Sequence, residues 1–403
     1  MSVSAVRPRP PAALYALAIG AFGIGTAEFM PMGLLQQIAA DLHVGIATVG
    51  LLISGYAMGV FLGAPLITLA TRRVPRKTVL LALMAIFTLG NLASALAPDY
   101  AMLLAARVLT SLAHGTFFGV GSVVATSLVP KEREASAISM MFTGLAGATL
   151  FGVPAGAWLG LHFGWHLAFW AVTAVGVAAM LAVAWWIPAN QDDTATVALA
   201  TELRVIASPP VLLGLAMTVL GFAGVFVVYT YIEPLLVRVT GFPDAAVSPT
   251  LLVFGVGIFF GTVLGGRLAD RSLAIALLGA LALLAIVLGV FGLVLHDGVL
   301  MVLFTGLLGV ASFTTVAPLQ LWILRRAAGA PGLASSVNIG AFNLANALGA
   351  WLGSRVISAG IGLTALPWVA MLVTVAGLLV ALYALRRDRA DTPACPSAVS
   401  ANA

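Results

Sequence analysis

Between about residues 12 and 385 the chain is a succession of apolar runs of about 20 residues or more, separated by short polar breaks. A helix of that length crosses the roughly 30 Å hydrocarbon core of a bilayer, so the repetition leaves few ways to fold. Only 8% of the 403 residues are charged and 61% are hydrophobic, where a soluble domain has about a quarter charged. The expected class is an all-α, multi-pass membrane protein with no sizeable soluble domain.

The first six runs lie at about 12–36, 47–70, 78–97, 101–128, 137–160 and 167–187. The next six lie at about 211–236, 249–269, 273–295, 299–324, 333–357 and 367–385. Between the sets, residues 189–209 turn polar with Gln191, Asp192, Asp193, Glu202 and Arg204, and read as a linker. The expected division is a first six-helix bundle over 1–188, a second over 210–386, and a polar tail over 387–403 without fixed structure. Arg7 and Arg9 ahead of an apolar run resemble a secretory leader. Glu28 and the apolar continuation to Leu35 favour a retained first span.

With the N-terminus placed in the cytoplasm, Arg72, Arg73, Arg76, Lys77, Lys131 and Arg133 fall on that side in the first half, as do Arg271, Arg325 and Arg326 in the second. Arg238 and Arg355 fall opposite. Basic residues favour cytoplasmic loops, so the net charge of +5 speaks to topology rather than to nucleic acid, and both termini are expected inside. The halves also echo one another, as repeated transporter bundles do. GAWLG occurs at 156–160 and again at 349–353, Pro31 has a counterpart in Pro234, and Leu69 to Arg72 matches Leu268 to Arg271 in Leu, Ala and Arg.

Glu28 stands inside the first run, in GTAEFMPMGLL. An ionised carboxylate at the centre of a span costs about 2.5–3.5 kcal/mol on insertion scales, so a chain that keeps one is expected to give it a partner or a proton. GGRLADR over 265–271 sits where the eighth run meets its loop. Glycines there permit close helix approach, and Asp270 beside Arg267 and Arg271 suits a charged contact that closes a gate. A plain basic stop-transfer loop is the alternative.

That loop resembles the signature of the major facilitator superfamily, and the resemblance covers essentially the whole chain. It implies twelve transmembrane helices in two pseudo-symmetric six-helix bundles, a central cavity lined by the first, fourth, seventh and tenth spans, and alternating access by rocking. The first-half copy, ITLATRRVPRK over 67–77, keeps the basic cluster but has Ile67 in place of the usual glycine and Thr71 in place of the usual aspartate. Arg107 in LLAARVLTSLAHG is similar to the family's membrane arginine motif, with Thr110 and Ser111 for its glutamine and glycine. Gly152, Pro154 and Gly156 in the fifth span are similar to the antiporter motif of drug exporters, interrupted by Val153.

Arg107 and Glu28 fall at similar depth, and if both helices line the cavity the two charges meet or share water. His114 follows Arg107 by seven residues, on the same helix face and deeper. Burial disfavours a charged carboxylate and a neighbouring arginine favours it. One reading is a proton path in which Glu28 titrates, Arg107 tunes it and His114 relays; the other is a permanent structural ion pair.

Tyr56, Phe117, Phe118, Tyr229 and Tyr231 are candidates for apolar cargo contact, and Asn343 and Asn346, about one turn apart, for orienting it. Gly152, Pro154, Gly156, Gly266, Asp270 and Arg271 are candidate gating residues. No GxxxxGK[ST] loop, metal-ligand cluster or hydrolase serine motif is present, so neither a nucleotide motor, an enzyme nor a cofactor is expected. The single cysteine, Cys395, offers no disulfide framework.

TAEFMPMGLL, GVPAG and Gly164-Trp165 look like the bacterial drug:proton antiporter group, with its chloramphenicol-type exporters and arabinose efflux permeases. That resemblance implies proton-coupled efflux of a small organic compound across the inner membrane, with protons and the bilayer as the other partners. Export of sugars or purine nucleosides, uncoupled facilitation, and a transport-inactive receptor or scaffold remain as alternatives. Substrate identity and oligomeric state have no sequence signature.

Overall fold

A computed structural model describes residues 11–44, 46–189, 198–243 and 246–391. Arg7, Arg9, the linker residues Gln191, Asp192 and Asp193, and the tail with Cys395 lie outside the described residues. Helices account for nearly all of the described structure, and no strand occurs among the described residues.

In chain order the first half holds Ala12–Phe29 (α1), Leu35–Asp41 (α2), Ile46–Thr71 (α3), Arg76–Ala95 (α4) and Tyr100–Ser127 (α5). It continues with Glu134–Gly147 (α6), Val153–Phe163 (α7) and Trp165–Trp186 (α8). Leu199–Ile206 (α9) lies in the linker, followed by Pro209–Tyr229 (α10), the single turn Ile232–Pro234 (α11), Val247–Arg271 (α12) and Leu273–Leu293 (α13). Gly298–Thr314 (α14), Val316–Arg326 (α15), Pro331–Ser358 (α16) and Leu366–Asp391 (α17) complete the order.

Ten described helical stretches are long and apolar enough to cross a membrane, with Gly55–Thr71 of α3 a shorter one. Helix α16 has the length but is more polar, because it carries Ser335, Ser336, Asn338, Asn343 and Asn346. Those side chains meet other polar groups or a cavity rather than lipid, as described below.

Several expected spans are interrupted, and proline explains the breaks. A proline supplies no N–H to the carbonyl four residues earlier. The first span thus ends as an α-helix at Phe29, tightens to a 3-10 turn over Met30–Gly33 around Pro31, and stops short of the expected residue 36. The seventh stops at Tyr229 rather than 236, just ahead of Pro234. The tenth is broken between α14 and α15 at Thr315, with Pro318 one turn on. In the fifth span a π-helical segment, Ala148–Gly152, joins α6 to α7.

Two expectations need correction at the polar segments. The linker contains the helix α9, whose Glu202, Val205 and Ile206 turn inward at helical spacing. The last helix runs past residue 386 to Asp391, and Asp388 pairs with Arg326.

Helix α1 packs on α6 and α8, α4 on α5 and α8, and α3 on α5. In the second half α10 packs on α16 and α17, α12 on α14, and α13 on α17. Contacts between the halves run mainly from α12 to α6 and from α16 to α3 and α5. The repeat also shows in the caps. Asp99 accepts from Met102 N at 2.8 Å to start α5, and Asp297 accepts from Val299 N at 3.0 Å and Leu300 N at 2.9 Å to start α14.

Candidate functional site

The break in α1 creates the first half of the site. Pro31 cannot donate to Ala27 O, and the fully buried Arg107 of α5 supplies the missing donor: its Nη1 donates to Ala27 O and its Nη2 to Glu28 O, the latter at 3.4 Å. The guanidinium carbon also lies 4.3 Å from the ring centroid of Tyr56 on α3, a cation–π contact. Arg107 is therefore held by backbone carbonyls and an aromatic face. Its hydrogen bond to Glu28 goes to the backbone carbonyl.

The carboxylate itself turns to His114. Glu28 Oε2 lies 3.9 Å from His114 Nδ1, and that nitrogen lies 3.3 Å from the Tyr56 hydroxyl. Which of the two donates depends on the imidazole tautomer. The His114 ring also packs on Phe118 with centroids 5.1 Å apart. Glu28, His114, Tyr56 and Arg107 thus form one continuous set from α1, α3 and α5, with Glu28 and His114 at the surface of a cavity.

That cavity has a volume of about 800 Å³ and lies between the two halves. Its walls come from α1, α5, the fifth span, α10, α12, the tenth span and α16. These include the four spans that the family resemblance implied. Of the expected contact residues, Phe118, Tyr229, Asn343 and Asn346 line it. Tyr56, Phe117 and Tyr231 do not. Tyr56 is buried behind His114, Phe117 packs against Gly20, and Tyr231 donates to Ala350 O at 2.9 Å with its ring on Gly353.

Asn343 Nδ2 donates to Ile339 O at 3.1 Å. The Oδ1 atoms of Asn343 and Asn346 are buried and have no hydrogen-bond partner among the described residues, so this wall offers two acceptors to a cargo. The rest of the surface is aromatic to a degree the sequence reading missed. Phe142 stacks on Phe118 at 5.0 Å, Phe222 meets Phe342 edge-on at 5.0 Å, and Phe254 stacks on Tyr229 at 4.3 Å. The i, i+4 spacing of Phe222 with Phe226 and of Phe342 with Asn346 was the available signal. Met32, 44% exposed, and Leu252, 40% exposed, form part of the wall at the end away from the basic loops.

At the basic end the halves are tied together. Asp270 accepts from Ala135 N at 2.9 Å, from Ser136 N at 3.2 Å and from Ser136 Oγ. A carboxylate there satisfies the unpaired N–H groups of α6 and complements its dipole. Gly266 lets α12 approach Ser139, which donates to Thr262 O. Arg325 meets Glu134 at 3.1 Å, while Arg271 is exposed and stands outside the contact. Gly152 packs on Thr26 and Gly156 on Met30, so both belong to the α1 seam, and Pro154 lines the cavity.

A buried polar ladder adds to this closure, and nothing in the motif reading pointed to it. Thr218 donates to Asn338 Oδ1 at 2.7 Å, and Asn338 Nδ2 to Gln320 Oε1 at 2.7 Å. Gln320 Nε2 then donates to Ser335 Oγ and, across the halves, to Ser122 Oγ at 3.3 Å. Thr68 donates to Ser336 Oγ at 2.7 Å, again across the halves.

A helical membrane protein with a large central cavity, tied shut at its basic end, has the build of a small-molecule carrier. The family model of the Major Facilitator Superfamily matches residues 17–350. The inner membrane transport protein YdhP of Escherichia coli (strain K12) is 47% identical over 375 residues, 93% of this chain and 96% of its own. The chloramphenicol resistance protein of Streptomyces lividans is 33% identical over 374 residues, 92% of this chain and 95% of its own. The crystal structure of the human organic anion transporter MFSD10 superposes with a TM-score of 0.73 at 15% identity, covering 93% of this chain and 100% of that one. The likeness to MFSD10 shows the fold alone. The chain belongs to the major facilitator superfamily, and is a multi-pass membrane transporter rather than an enzyme.

Proposed function

We propose that the chain exports a small, drug-like organic compound across the bacterial inner membrane in exchange for protons. In this reading twelve spans form two six-helix bundles, the first over 1–188 and the second from residue 210 to the end of the last helix at Asp391, joined by the linker 189–209. Both termini lie in the cytoplasm, and the basic end is the cytoplasmic gate, closed in this state. The bundles rock about the cavity, so that it faces each side in turn.

The observation that carries the reading is the Glu28 carboxylate in the cavity wall, 3.9 Å from His114, while the Arg107 guanidinium is held by the Ala27 and Glu28 backbone carbonyls. Glu28 can exchange a proton with the cavity, His114 is placed to pass or hold it, and Arg107 fixes the backbone that carries Glu28. Cargo bound against Phe118, Tyr229, Asn343 and Asn346 would compete with that proton. The relative named for chloramphenicol resistance supports a drug-like cargo. The free Asn343 and Asn346 acceptors favour a second cargo class for the same cavity, sugars or nucleosides rich in hydroxyl donors.

The test is an accumulation screen with amphenicols, aromatic cations, sugars and nucleosides in cells lacking their own pumps, followed by proton-movement assays in everted vesicles. Cargo-dependent proton movement supports coupled export. Cargo flux without proton movement identifies a facilitator and overturns the exchange.

A further inference from the structure

The two halves carry the same short segment, Leu69-Ala70-Thr71-Arg72 at the end of α3 and Leu268-Ala269-Asp270-Arg271 at the end of α12, but use it in opposite ways. In the second copy Asp270 caps α6, and Arg271 is exposed. In the first copy Thr71 stands in the aspartate position and donates to Ile67 O of its own helix at 2.7 Å. The helix equivalent to the fifth span by the GAWLG echo is α16, and its start has no side-chain cap among the described residues.

Here it is the arginine that turns inward. Arg72 Nη1 lies 3.5 Å from Glu202 Oε2 of α9, with the two side chains 20% and 7% exposed. Glu202 is nearly as buried as the core, and a carboxylate so buried requires a cation beside it. Helix α9 packs on α10 and α16, and its Val205 lies against Gly329 in the loop before α16. Thr68, Arg72, Arg76, Glu202, Pro331 and Gly332 all line one pocket of about 270 Å³. Because α3 belongs to the first half and α9 sits on helices of the second, the pair bridges the halves.

We propose that Glu202 is a linker-borne latch that replaces the carboxylate missing at Thr71, so that the linker is a working part of the gate and not a tether. It holds α3 to the α16 side at the basic end, as Asp270 holds α12 to α6. When that end opens, Thr68 leaves Ser336 and Gln320 leaves Ser122, and Arg72 and Glu202 pass together into water. Neutralising one of them therefore penalises the closed state selectively, by leaving its partner buried alone. The proposal rests on the rocking of two halves put forward above, and its readout involves neither cargo nor protons.

The experiment places spin labels at Val74→Cys and Ala328→Cys, both exposed at this end, in the full-length Cys395→Ser chain in lipid nanodiscs, and measures their separation by double electron–electron resonance. Glu202→Gln is expected to raise the ratio of long to short distances about tenfold, and Arg72→Gln to do the same should the first variant not fold. The swap Arg72→Glu with Glu202→Arg is expected to restore the short distance, which a merely structural loss does not allow. Unchanged distributions in the single variants, or a swap as open as either of them, overturn the latch. Asp270→Ala separates the two levels: long distances there but not in Glu202→Gln refute the latch and leave the rocking, whereas no long distance in any variant refutes both.

Discussion

Replacing Arg107 by methionine tests the origin of the site, because the structure says which atom suffers. Pro31 leaves Ala27 O without its helical donor, and Arg107 Nη1 fills that place inside the bundle. Arg107→Met keeps the bulk and strands the carbonyl, and an unsatisfied buried acceptor costs about 1–3 kcal/mol. The variant also loses the Tyr56 contact, about 2 kcal/mol when desolvated, and gains back the penalty of burying a charge. Those two effects are common to any background, whereas the carbonyl effect is not. Pro31→Ala restores an N–H four residues on, so that α1 can satisfy Ala27 O by itself. A double-mutant cycle of Arg107→Met and Pro31→Ala, followed by denaturant unfolding of purified protein in mixed micelles, is therefore expected to show a coupling of about 1–2 kcal/mol, with Arg107→Met less damaging in the Pro31→Ala background. Equal losses in both backgrounds would refute the assignment of Arg107 to the proline-orphaned carbonyl.

Three further outcomes follow. Asp270→Ala removes the cap of α6 and is expected to weaken the closed basic end by about 0.5–2 kcal/mol, read as faster maleimide labelling of a cysteine placed at Ser139 in the Cys395→Ser chain. Gly266→Ala puts a methyl group 2.5 Å from Ser139 Cβ, so it is expected to hold the halves apart and lower export without changing the amount of folded protein recovered. Asn343→Leu and Asn346→Leu each remove an acceptor from the cavity wall, and each is expected to raise the KM for a cargo bearing hydroxyl or amide donors by about five- to thirtyfold, equivalent to about 1–2 kcal/mol, while sparing a purely apolar one.

The architecture was legible because bilayer thickness imposes run length, and glycines mark helix contacts. The GAWLG echo and the GGRLADR loop marked the repeat and Asp270 because both depend on local chemistry, but the partners of Asp270, the α6 N–H groups and Ser136, were not in the motif. What the sequence did not disclose depends on which faces meet. Arg107 and Glu28 sit at matching depth, but only the geometry of the Pro31 break directs the guanidinium to Ala27 O instead of the carboxylate. Tyr56, Phe117 and Tyr231 are as aromatic as Phe118 and Tyr229, and rotation about each helix axis decides which of them reach the cavity. The Gln320 and Asn338 ladder joins residues from separate spans that share no motif. Glu202 reads as an ordinary charge in a polar linker until α9 lays it beside Arg72.

The most direct test of the central claim is the proton released when the compound identified by the export screen binds purified protein in weakly buffered detergent solution near the pH at which coupled transport is fastest. Wild-type protein is expected to release a fraction of a proton up to one per cargo bound, and Glu28→Gln to bind the cargo and release none. Undiminished release from Glu28→Gln would contradict the account.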